Sequence, residues 1–140
     1  MKKLIFGAII ALALGTLSFT RFGLDAYDVF LNDKMVMKGY VNQPLDSRIL
    51  PLGKAATDDQ LRVVYRHCRL NNGPGTGRHI ALKDETGHAL QQWDFADAGQ
   101  MVIPVKDLLS AKKKSANHQL SLYYTAHELD NGQLLAAIRF

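Results

Sequence analysis

QLRVVYRHCRL, residues 60–70, decides the fold. Leu61, Val63, Tyr65 and His67 fall on one side of an alternating pattern, and Arg62, Val64, Arg66 and Cys68 on the other. A period of two belongs to a strand, whose successive side chains point to opposite faces, and the β-branched and aromatic content agrees. A strand of this kind buries one face only, so it needs partner strands and a second layer to cover it.

The same period runs outward in both directions. Towards the N-terminus, Tyr27, Val29 and Leu31 alternate with Asp28, Phe30 and Asn32, and Lys34 to Val41 follows after Asn32-Asp33. Asn and Asp tolerate the positive φ of a tight turn, so this stretch is expected as a hairpin. Gln43-Pro44-Leu45-Asp46 is a turn, Arg48 to Leu52 a short strand that Pro51 confines to an edge or bulge, and Gly53 to Asp59 a loop. Towards the C-terminus, Asn71 to Gly77 is a flexible connection, and Arg78 to Lys83 and Ala89 to Phe95 form a hairpin through Asp84-Glu85-Thr86-Gly87. Gln100 to Val102 is a further strand. Pro104 opens a short helix over 104–113, with Lys112, Lys113 and Lys114 at the negative end of its dipole. A last hairpin places Leu120, Leu122, Tyr124 and Ala126 inward, turns at Asp130-Asn131-Gly132, and returns over Gln133 to Phe140 with Leu134, Ala136, Ile138 and Phe140 inward. The expected fold is all-β, an antiparallel β-sandwich, Ig-like or jelly-roll-like, of about seven or eight strands with one short helix.

Lys2 and Lys3 precede an unbroken apolar run from Leu4 to Gly15, and small residues follow. That is the pattern of a signal peptide over residues 1–20, with the mature start expected between Thr16 and Phe22. The alternative is an uncleaved anchor, although extending the run to Phe19 still leaves it short of the about 20 residues that span a bilayer. Residues 21–140 then form a single domain, destined for the periplasm, the cell envelope or the extracellular space. The 140-residue chain carries 17 basic and 13 acidic side chains, a formal net charge of +4 that falls to +2 when Lys2 and Lys3 leave with the leader. So weak a balance argues against a nucleic-acid partner. A single cysteine, Cys68, excludes an intramolecular disulfide and a Cys₂ or Cys₄ zinc site. It also supplies no lipobox at the leader, so membrane contact is expected only through an uncleaved N-terminal segment.

Four groups of residues invite a chemical role. The glycine-rich stretch Asn71 to Gly77 leads into a strand rather than a helix and lacks a following Lys-Ser or Lys-Thr, so it is no phosphate loop. Its flanking Arg66, Arg69, Arg78 and His79 could receive an anionic group, or simply be solvated beside a long connection. Five histidines are present, and His67, His79 and His88 could meet on a metal only if their strands bring them together. On one strand His67 and Cys68 face opposite ways, and His127-Glu128 does not continue into H-E-x-x-H. No metal site is therefore expected. The carboxylate pairs Asp58-Asp59 and Asp84-Glu85 fall at turns, and Asp94 with Asp97 is too short for a calcium loop. There is no G-x-S-x-G elbow either. Tyr123, between Ser121 and Thr125, is an aromatic on a polar strand face, of the kind that stacks sugars or anchors partners.

These features nominate Arg66, Arg69, Arg78, His79 and Tyr123 as binding residues, with no catalytic residue and no cofactor. The expectation is an exported, non-enzymatic binding or interaction module of the envelope, its partner an envelope protein or a glycan. The alternatives are a small extracytoplasmic hydrolase and a histidine-based metal-handling protein.

Overall fold

The computed structural model describes residues 24–115 and 117–140, so the expected leader and its cleavage region lie outside the described residues. Among the described residues there are nine strands: β1 (Ala26–Leu31), β2 (Lys34–Tyr40), β3 (Ile49–Pro51), β4 (Gln60–Arg66), β5 (Arg78–Lys83), β6 (Ala89–Phe95), β7 (Met101–Pro104), β8 (Ser121–Ala126) and β9 (Leu129–Arg139). One α-helix, α1 (Val105–Lys114), follows β7 directly. No helix among the described residues is long and apolar enough to cross a membrane.

The strands form two sheets, β2-β1-β4-β7 and β3-β9-β8-β5-β6. The first is antiparallel throughout, with β4 between β1 and β7. The second departs from the expected all-antiparallel arrangement, because β3 runs parallel to β9, pairing Leu50 with Ile138. No hairpin can join parallel neighbours, and these two strands are far apart in the chain, so only tertiary structure brings them together. β3 does occupy a sheet edge, where Pro51 costs no ladder bond.

Period two determines what is buried. Tyr27 and Val29 of β1 and Leu61, Val63 and Tyr65 of β4 share one core cluster with Ile80 and Leu82 of β5 and Leu122 and Tyr124 of β8. Aromatic contacts tie the two sheets together across this core. The Tyr65 and Tyr124 rings stack with centroids 4.1 Å apart, and the Tyr27 hydroxyl donates to the Leu135 carbonyl at 2.5 Å. Gly39 lies across the ladder from Tyr27, and a Cβ there would come within 2.6 Å of Tyr27 Cε2. The missing side chain is what gives the phenol ring its place. α1 buries Val105, Leu108 and Ala111. Its Asp107 accepts from the side chains of Gln91 and Trp93 at 3.4 Å each, which closes the β6 edge.

The last hairpin corrects the expected turn. Ala126 pairs with Leu129, so the connection is His127-Glu128, and Asp130 to Gly132 belong to β9. Gly132 does adopt a positive φ of 69°, but at a ladder irregularity opposite Thr125 rather than at a turn. A second irregularity pairs Leu122 with Ala136 and Tyr123 with Leu134. Leu135 is thereby left as the extra residue. The slip changes the phase of β9, so Leu135 and Ala136 are buried while Leu134 and Phe140 are only half-buried.

Burial raises the pKa of three core phenols, Tyr27, Tyr65 and Tyr124, the last being pushed up to about 12. An unfolded tyrosine releases its proton near pH 10. Stability should thus be insensitive to these groups below about pH 10 and fall steadily as the pH rises above it, because the unfolded chain gives up protons that the folded one keeps. Parallel alkaline titrations of phenolate absorbance and far-ultraviolet circular dichroism should show the full signal of all five tyrosines only as the fold is lost. Complete phenolate formation in an intact fold would contradict the burial of these rings.

Candidate functional site

β4 ends at Arg66, short of the expected Leu70. His67 closes an isolated bridge with Gly73, donating its N–H to the Gly73 carbonyl at 3.0 Å, and Cys68–Leu70 makes a 3₁₀ turn. Asn71 and Asn72 then take φ of 54° and 62°, the left-handed region that asparagine tolerates best among residues with a Cβ. The chain doubles back here. As a result His67 and Cys68, expected on opposite faces of one strand, both line the same cleft.

This cleft, of about 810 Å³, opens where the start of β1, the turn after β4 and the β8–β9 turn meet. Leu24, Val41, Leu70 and Leu129 supply its apolar wall. Leu24 and Leu70 are 47% and 38% exposed, two of the five large apolar side chains left in water among the described residues. Together with Val41 and Leu129 they give the cleft an apolar lining beside its polar one.

A hydrogen-bonded polar floor lies beneath that wall. Asp25 accepts the Cys68 N–H at 2.7 Å on one oxygen and the Tyr65 hydroxyl at 2.9 Å on the other. That second oxygen also stands 3.8 Å from His67 Nδ1. We assign the His67 proton to Nδ1, facing the carboxylate, which leaves Nε2 to accept from the Tyr124 hydroxyl at 2.8 Å. The His67 ring is 3% exposed, yet both of its nitrogens face partners. On the far side Glu128 is held by Thr76, whose N–H and hydroxyl donate to it at 2.9 and 2.7 Å. Those Thr76 donors keep the Glu128 carboxyl below the usual carboxylate range.

Gly75 explains why the connecting loop is rich in glycine. A Cβ on this buried residue would stand 2.6 Å from His67 Nε2 and 2.7 Å from Glu128 Oε2. The segment expected as a flexible connection is in fact seated on the β8–β9 turn. His127 donates its N–H to the Thr76 carbonyl at 2.8 Å, and Gly77, at φ 56°, packs over the His127 ring.

The five residues nominated from the sequence do not share one site. Arg69 is exposed at the cleft. Arg66 pairs with Asp28 at 2.7 Å on the outer side of the four-stranded sheet, and that bond raises its pKa. Arg78 is buried, donating Nε to the Ala96 carbonyl at 2.9 Å and Nη2 to the carbonyls of Ala96 and Gly99. It fastens the 96–99 loop. His79 and Tyr123 stand on the outer face of the five-stranded sheet, where His79 pairs with Asp94 at 2.6 Å and Lys83 Nζ lies 4.5 Å from the Tyr123 ring centre. Among the described residues no three His, Cys, Asp or Glu side chains converge to hold a metal ion. Sequence reasoning missed Asp25 and Glu128, because neither belongs to a motif. The available signal was His67, a polar residue in phase with the core face of the strongest strand.

Comparison with protein-family models, with curated proteins and with solved structures finds no match to this chain.

Proposed function

We propose that the chain is an exported, non-enzymatic binding or interaction module of the cell envelope, and that its two sheets form a β-sandwich of Ig-like or jelly-roll-like kind. The cleft between Leu24, His67 and Glu128 carries this reading, since it combines solvent-held apolar side chains with a pre-ordered polar floor. Such a combination supplies affinity from the wall and orientation from the floor. The charged and apolar pattern of residues 2–15 supports export to the periplasm, envelope or extracellular space. A hydrolytic role draws less support, because the His67 ring, the natural base of the cleft, is buried with its Nε2 bonded to the Tyr124 hydroxyl.

A thermal-shift screen of short peptides and divalent metal ions tests the proposal. A ligand present at a hundredfold excess over its Kd should add about 2.7 kcal/mol to the apparent stability. Leu70→Asp, an exposed change expected to alter the stability of the unliganded protein by no more than about 0.5 kcal/mol, should abolish that gain. A stabilising ligand whose effect survives Leu70→Asp would move the site away from the cleft, and a screen without any stabilising ligand would count against a binding role.

A further inference from the structure

The outer face of the five-stranded sheet carries a second constellation, independent of the cleft. Ile80, Leu82, Leu122 and Tyr124 point into the core, so the alternate residues of β5 and β8 must point out. Register then makes neighbours of five side chains from three strands. His79 stands opposite Asp94 and Ala81 opposite Gln92 across β5–β6, while Ala81 faces Tyr123 across β5–β8. Ala81, the small residue between Gln92 and Tyr123, is itself buried.

The polar members of this group are already ordered. Asp94 Oδ1 accepts from His79 Nδ1 at 2.6 Å and from Gln92 Nε2 at 2.9 Å. Among the described residues, no partner occupies Asp94 Oδ2, His79 Nε2 or the Gln92 carbonyl oxygen. One carboxylate oxygen, one imidazole nitrogen and one amide oxygen are thereby offered together beside an aromatic ring. The Lys83 ammonium lies over one face of the Tyr123 ring, 4.5 Å from its centre, so a sugar stacking there displaces it. A flexible lysine gives up such a position easily.

We propose that this face binds a neutral oligosaccharide, stacking one hexose on Tyr123 and directing hydroxyls of the next to Asp94, His79 and Gln92. Charge and polarity favour that occupant. The Asp94 carboxylate and the Lys83 ammonium offset one another on this face, so nothing here selects a strongly charged polymer. None of the five exposed large apolar side chains lies on this face, so it lacks the apolar centre that a protein interface needs. Hydroxyl groups, which both donate and accept, suit a mixed set of carboxylate, imidazole and amide atoms. The distance across three strands, about 10 Å, is close to the length of two hexose units.

The test is a heteronuclear NMR titration of the folded protein with cellohexaose, maltohexaose, chitohexaose and laminarihexaose. At least one should give saturable shifts at amides of β5, β6 and β8, with a Kd on the order of 1 mM or tighter. Tyr123→Ala should weaken that binding at least about tenfold, whereas Leu70→Asp in the cleft should leave it unchanged. Gln92→Ala, an exposed substitution, provides the same comparison should the tyrosine variant fold poorly. The proposal is overturned if none of the four sugars shifts these amides, if the shifts survive both outer-face substitutions, or if they cluster at the cleft instead.

Discussion

Replacing Gly75 with valine should destabilise the fold by about 3 kcal/mol and close the cleft floor to any ligand. Gly75 is buried and has no left-handed φ to lose, so the effect is steric and not conformational. Its missing Cβ would meet three groups at once, His67 Nε2 at 2.6 Å, Glu128 Oε2 at 2.7 Å and Ala126 Cβ at 3.0 Å. The His67 ring cannot retreat, because its other edge faces Asp25 and its plane packs against Tyr65, ring centres 4.8 Å apart. Glu128 can swing outward, but only by giving up Thr76. Alanine should therefore cost less than valine, about 1–2 kcal/mol, since it adds only the first of the offending atoms. Urea denaturation of the three proteins, with unchanged slope, reads the series directly. Valine within about 0.5 kcal/mol of the parent would mean that the loop is not seated where the structure puts it.

His67→Leu should be the second costly change, at about 2–3 kcal/mol. Leucine fills much of the imidazole's volume, so the loss comes from what its partners are left without. The Tyr124 hydroxyl, fully buried, would no longer have an acceptor. Stranding a buried donor costs more than the bond itself contributed. Tyr124→Phe introduced into the His67→Leu background removes the stranded group and should recover about 1 kcal/mol, although the same change in the parent destabilises. This inversion of sign separates the polar floor from ordinary packing. Two additive losses would show that the histidine and the tyrosine act only as filler.

Much of the fold was legible because strand periodicity is local. The ends of β5 and β6 follow from alternation bracketed by glycine-rich and Asp-Glu-Thr-Gly signals, and the Asn32-Asp33 turn shows the expected positive φ at Asn32. The β3–β9 pairing was not legible, since nothing near Ile49 specifies a partner close to Ala137. Gly132 shows a different limit. The residue chemistry that favours a turn also favours a bulge, and only the Ala126–Leu129 pairing decides between them. The cleft draws on four separate segments, around Leu24, Val41, His67 and Glu128, so no spacing rule could assemble it. Arginine misled for a related reason. Its charge suggested a ligand at Arg78, whereas the side chain is spent on the carbonyls of Ala96 and Gly99.

On the proposed function, the cleft beside His67 receives the partner. Chemical-shift mapping with whichever peptide stabilises the protein most in the thermal screen is the decisive test. The predicted result is a saturable set of shifts at Asp25, at His67 to Leu70 and at Glu128 to Gly132, lost in Leu70→Asp. Saturable shifts elsewhere, with these amides unmoved at full occupancy, would contradict it.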